Sequence, residues 1–121
     1  MTITVLRGDV VLVDYPYSDR MGSKVRPCVV VQNDSDNQRR GDTIVVLLTS
    51  KTRFTPVSPT EILITADSLV GRQAGLIFDS AVQGHNMLTI DRSFIRRKIG
   101  TIPVETMSRV NNCLKAALAL S

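Results

Sequence analysis

The 121-residue chain is long enough for one domain with a core of its own. With 43% hydrophobic and 21% charged residues it matches an ordinary globular composition, and no apolar run reaches the roughly 18 residues a membrane span needs. The formal charge is +4 and arginine outnumbers lysine, which suits a polyanionic partner; two tyrosines, three phenylalanines and no tryptophan are too few for a platform that stacks successive bases.

The N-terminal "MTITVLRGDV" shows no basic region followed by an apolar run, so no signal peptide is expected and the cytoplasm is the default compartment. "DVVLVDY" (9–15) is rich in valine and lies between Gly8 and Pro16, so it reads as a strand. The polar "YSDRMGSK" (17–24) is a loop. "PCVVVQN" (27–33) is a buried strand, with Pro27 as its first residue, where no ladder donor is needed. "DSDNQRRGD" (34–42) reads as a solvated turn, and "TIVVLLTS" (43–50) as the next strand.

Two prolines keep 51–60 from being regular helix or central strand. "EILIT" (61–65) alternates like a half-buried strand, 67–75 is a connection, and 76–83 returns to strand character. "MLTI" (87–90) continues it after a break at Gly84. Residues 89–100 suit one short helix capped by Asp91. The clearest helix is 101–120, with Pro103 early and an apolar face of Met107, Val110, Leu114, Ala117 and Leu118. Many short strands with frequent turns predict a mainly β fold, a small barrel or sandwich, with this amphipathic C-terminal helix packed on it.

Cys28 and Cys113 stand in apolar contexts and are expected to be buried free thiols, a redox pair being the alternative. His85 is the only histidine, so one chain offers no histidine pair for zinc. There is no CxxC, HExxH or Walker loop, and the carboxylates are scattered, so a metal or cofactor is not expected. What remains is two strands with polar ends: Arg26 precedes one, and Thr49, Ser50 and Lys51 close the other. Side by side and antiparallel, they place Arg26 and Thr49 on one rim. Taken singly, Arg26 also reads as a rim arginine paired with an acid such as Asp14, and Thr49 as an ordinary β-branched strand residue. His85, the side chain with an ordinary pKa near neutrality, reads either as a proton-transfer or contact group or as an exposed, structurally bonded one.

"RGDVVLVDY", "GSKVRPCVVVQND", "TIVVLLTS", "TIDRSFIRRKIGTI" and "VETMSRVNNCLKAALAL", in this order, resemble the MazF/PemK family of toxin endoribonucleases from Arg7 to Leu120. The resemblance implies one toxin domain over 1–121 with an SH3-like β-barrel. It further implies a homodimer that cuts single-stranded RNA at short sequences without metal, leaving 2′,3′-cyclic phosphate and 5′-hydroxyl ends. A cognate antitoxin with an acidic, partly disordered tail is the implied partner. The family's catalytic arginine falls on Arg26 and its threonine on Thr49. The groove segment "VQGHNMLTI" brings Gln83, His85 and Asn86 toward RNA, although Met87 and Leu88 stand where relatives often carry a charge. Ser18, Arg20 and Lys24 are expected near phosphates, with Ser50, Lys51 and Arg53 extending the basic rim. Two other readings suit the same fold: a CcdB-like toxin that binds gyrase, and a non-catalytic SH3-like module that binds RNA or protein.

Overall fold

The computed structural model describes residues 3–16, 22–51 and 58–121. Its elements are β1 (Asp9–Pro16), β2 (Ser23–Val30), α1 (Asp34–Arg39), β3 (Asp42–Thr49), β4 (Glu61–Ile64), α2 (Leu69–Gln73), β5 (Ser80–Asp91), β6 (Ile95–Thr101) and α3 (Val104–Leu118), with a 3₁₀ turn at Arg92–Phe94. The strands form one antiparallel sheet in the order β4-β5-β3-β2-β1-β6. It stays open, with β4 and β6 as edges, but it curls like a small barrel: Tyr15 at the end of β1 reaches Asn86 on β5, although β2 and β3 lie between them in the sheet order.

Curling buries both faces of the central strands, which explains their unbroken valine runs. Val10, Val29, Val46, Leu48 and Val82 point to one side, where Met107 and Val110 of α3 cover them. Val11, Val13, Cys28, Val30 and Val45 point to the other and meet Val5, Ile90 and Ile95. Helix α3 lies across β5 and β4.

The structure corrects the expected elements at six points. Residues 34–39 are a helix, not a turn: the Asn33 side chain caps it by accepting from the Asp36 N–H at 2.8 Å, and Asp34 and Asp36 sit in its first turn. The 67–75 connection contains α2, capped by Ser68, whose Oγ accepts from the Gly71 N–H. Residues 95–101 form β6 rather than a helix, because Ile95 is buried beside Val13 and the segment completes the β1 ladder; only residues 92–94 are helical, and Asp91 does cap them.

Pro27 is inside β2 and not its first residue; the ladder to β3 begins only at Cys28, so the missing donor falls beside an unpaired stretch. The break at Gly84 is a bulge within a continuous β5: the partner of Val46 is Met87, and that of Leu47 is already Gln83. On α3, Met107 and Val110 are buried as expected, whereas Leu118 is exposed and Cys113 takes the core position. Both cysteines are free and buried.

Candidate functional site

Strands β2 and β3 pair only through Cys28↔Leu47, Val29↔Val46 and Val30↔Val45. Beyond Cys28 they part, and residues 24–27 and 48–51 become the two walls of a cleft of about 360 Å³. Extending the Cys28↔Leu47 register by two residues sets Arg26 opposite Thr49. Leu12, Arg97 and Ile99 contribute from β1 and β6, and residues 75–78 close the far side. The structure thus sets the two residues singled out from the sequence opposite each other where the ladder opens, but Arg26 lies inside β2, paired with Val13 of β1, and does not precede the strand.

Arg26 is half-buried and, among the described residues, has no carboxylate partner; Asp14 pairs instead with Arg96 at 2.8 Å. Register places Arg26 level with Val13 and two residues from Cys28, on the strand face that also carries Tyr15. Burial pushes the Cys28 thiol up to about 12, and the Arg26 charge pulls it partly back. Tyr15 is likewise raised, first by burial and then by Cys28, and lowered by Arg26. A permanent cation thus stands beside a buried thiol and a phenol, both neutral at pH 7. Among the described residues no acid compensates it, an arrangement that favours an anionic ligand. The Thr49 Oγ1 accepts from the Lys51 N–H at 3.2 Å, which turns the chain at the strand end.

Thr49 lies opposite Ala81, and Gln83 follows two residues along β5 on the same face. From there a chain of hydrogen bonds crosses the concave side. Gln83 Nε2 donates to Glu61 Oε1 at 3.3 Å, Asn86 Nδ2 donates to Gln83 Oε1 at 3.3 Å, and the Tyr15 hydroxyl donates to Asn86 Oδ1 at 2.9 Å. Gln83 and Asn86 are therefore brought together, flanking the Arg26 side of the sheet through Tyr15.

The structure separates His85 from this group. It is exposed, it does not line the cleft, and its Nδ1 stands 3.1 Å from Thr60 Oγ1. Lys24, Ser50 and Lys51 do line the cleft, whereas Ser18, Arg20 and Arg53 lie outside the described residues. Sequence reasoning missed Arg97, Glu61 and Tyr15. Arg97 was hidden by reading 89–100 as a helix, and Glu61 and Tyr15 gain their meaning only from cross-strand partners. Asp9 of the "RGDV" element is structural: it is buried, accepts from the Leu6 N–H at 2.8 Å and pairs with Lys98 at 3.0 Å. Gly8 beside it has φ +94°, a conformation that a side chain would strain.

Comparison with known proteins identifies relatives along nearly the whole chain. The chain is 33% identical over 119 residues to Endoribonuclease EndoA of Bacillus subtilis (strain 168), covering 96% of each. It is 28% identical over 115 residues to Endoribonuclease MazF of Staphylococcus saprophyticus, covering 94% of this chain and 91% of that one. A solved endoribonuclease in complex with its cognate antitoxin, from a mycobacterial species, superposes with a TM-score of 0.75 at 26% identity, covering 97% of both chains. The family model of PemK-like, MazF-like toxins matches residues 6–118, and with the EndoA likeness it shows that the chain belongs to this family of type II toxin–antitoxin toxins.

Proposed function

We propose that the protein is the toxin of a toxin–antitoxin pair and a sequence-selective endoribonuclease whose reacting phosphate sits between Arg26 and Thr49. The observation that carries this reading is their opposition across the opened β2–β3 ladder, with Arg26 lacking an acid partner among the described residues. The ribose 2′-hydroxyl gives up its proton to solvent as its oxygen attacks the adjacent phosphorus, the O2′–P bond forms, the P–O5′ bond breaks, and the leaving O5′ takes up a proton from solvent. The products are a 2′,3′-cyclic phosphate and a 5′-hydroxyl.

Negative charge builds on the phosphoryl oxygens during this step. A guanidinium fork matches two of those oxygens and stays charged at any working pH. A rigid strand holds it, so little reorganisation is needed as the charge develops. The Thr49 hydroxyl is placed to donate to the same phosphate. In this reading the chain supplies the charge and no metal is required. Lys24, Ser50 and Lys51 line the approach to the phosphate; Gln83 and Asn86 contact bases. Ser18, Arg20 and Arg53 belong to the same proposed RNA surface. The exposed position of His85 favours contact with the RNA strand over proton transfer at phosphorus.

The mouth of the cleft supports a homodimer. Ile77 is 83% exposed and Phe78 63% exposed, beside half-exposed Val25, and adjoining apolar groups of this size call for a partner surface. The basic rim of Lys24, Lys51 and Arg97 suits the acidic segment of an antitoxin, as expected for a relative of an endoribonuclease solved with its cognate antitoxin. Among the described residues no helix is long and apolar enough to cross a membrane, which is compatible with action on RNA in the cytoplasm.

The test is cleavage of a long, weakly structured RNA in EDTA, with product ends mapped and Arg26→Ala run alongside. Cuts at a recurring short motif, lost in the variant, are the expected result. Uncut RNA across a diverse pool would overturn the reading and direct the search to a protein target.

A further inference from the structure

Glu61 and Gln83 face each other across the β4–β5 pair. Residues 84–86 bulge out of the β3–β5 ladder, and this turn brings Asn86 back against Gln83. The result is a row of four half-buried polar side chains, Glu61, Gln83, Asn86 and Tyr15, that spans the concave face beside Arg26.

The two ends of the row differ in kind. An ionised carboxylate only accepts, so Glu61 compels Gln83 to turn its NH₂ toward it. The Gln83 carbonyl must then face Asn86, which answers with its own NH₂. The Asn86 carbonyl is left toward Tyr15, whose hydroxyl donates to it. One charged residue therefore dictates the direction of both amides. Each amide retains one N–H and one carbonyl lone pair, a donor beside an acceptor, which is the pattern that pairs with a base edge in two places.

Watson–Crick edges come in two opposite orders. Adenine and cytosine present an amino donor beside a ring-nitrogen acceptor; guanine and uracil present a carbonyl acceptor beside a ring N–H. An amide fixed in one direction matches one order and clashes, donor to donor, with the other. Single-stranded RNA exposes these edges for reading.

We propose that Glu61 is a positioning residue that locks the direction of the Gln83 and Asn86 amides, and that the lock makes the RNA site discriminate amino bases from keto bases at one position of its cleavage motif. The proposal rests on the endoribonuclease reading above and adds to it a determinant of sequence preference. Glu61 itself touches no base; it acts through Gln83.

The experiment is cleavage of a randomised RNA pool by the full chain, with cut sites sequenced, for wild type, Glu61→Gln and Tyr15→Phe. Thermal melting of each variant runs in parallel. Glu61→Gln keeps the shape but lets residue 61 donate as well as accept, so the amides turn over freely. Wild type is expected to separate amino from keto bases at one motif position by roughly tenfold or more, the scale of one bidentate base contact. In Glu61→Gln that ratio falls toward one, while cutting continues and the other motif positions keep their preference. Tyr15→Phe, which removes only the donor at the far end, weakens the ratio in the same direction.

An unchanged ratio in both variants would overturn the proposal and leave the nuclease reading standing. So would a wild-type motif with no amino–keto distinction. Equal loss of cutting at every sequence in variants that melt like wild type would overturn it too, since that marks general damage to the site. If the wild type itself cuts nothing, the nuclease reading falls and the proposal with it.

Discussion

Arg26 and Thr49 carry the proposed chemistry because each is held on a paired strand, Arg26 against β1 and Thr49 against β5, at the point where the β2–β3 ladder opens. Lysine at 26 would keep the charge but lose the planar fork, so Arg26→Lys is expected to cut RNA far more slowly than wild type while binding it with similar salt dependence. Removing a preorganised donor costs about a hundredfold to a thousandfold in rate, and cleavage kinetics of Arg26→Lys and Thr49→Val beside wild type measure it. Cys28, two residues along, makes a second prediction. Its folded thiol is raised to about 12, above the 9.0 of an ordinary thiol. Above pH 9 the unfolded chain therefore sheds this proton while the folded chain keeps it. The stabilising contribution is complete below pH 9 and is lost as pH climbs toward about 12, and Tyr15, also raised, acts in the same direction at higher pH. Urea midpoints measured between pH 8 and 10.5 should fall more steeply for wild type than for Cys28→Ala. These residues were legible singly in the sequence. Their company was not: the acid expected beside Arg26 belongs to Arg96, and His85 bonds Thr60 away from the cleft.

At the scale of elements, the long apolar strands and the last helix announce themselves by period, and the short pieces do not. Helices α1 and α2 have 6 and 5 residues, too few for a periodic pattern, and only their caps Asn33 and Ser68 betray them. Strand β6 reads "IRRKIGT", whose cations suit an exposed edge and mask its strand character. The Gly84 bulge has a packing reason beyond the ladder. A Cβ there would stand 2.9 Å from Cys113 Cβ and 3.0 Å from the Cys113 carbonyl carbon, so β5 meets α3 where no side chain fits. Gly84→Ala should destabilise by about 1–3 kcal/mol, the range for overpacking, and shift the denaturant midpoint downward. The opposite outcome is expected at the end of α3. Ala119 adopts a left-handed conformation at φ 56°, and its N–H bonds the Ala116 carbonyl. Ala119→Gly relieves that strain and should stabilise by about 1 kcal/mol, visible as a higher melting temperature.

At the scale of the whole molecule, an apolar surface around Ile77 and Phe78 lies beside the cleft and stays open to solvent in one chain. If it is the subunit contact, Phe78→Asp should yield monomers in sedimentation at micromolar concentration, where wild type sediments as a dimer, because a carboxylate buried in an interface without a partner is costly. A wild-type monomer under the same conditions would remove the dimer from the proposed function. Composition, charge and the order of apolar strands were enough to determine a small, mainly β domain with a packed C-terminal helix, because hydrophobic period and turn residues act locally. The same local signals marked Arg26 and Thr49 as strand-end groups of unusual chemistry. Only the tertiary structure decided that β2 and β3 part just where these two face each other, that residues 95–101 join the sheet, and that Glu61, Gln83, Asn86 and Tyr15 form one row. Register and curl set those relations. They arise from burying both faces of the sheet at once, a condition that no short window of sequence contains.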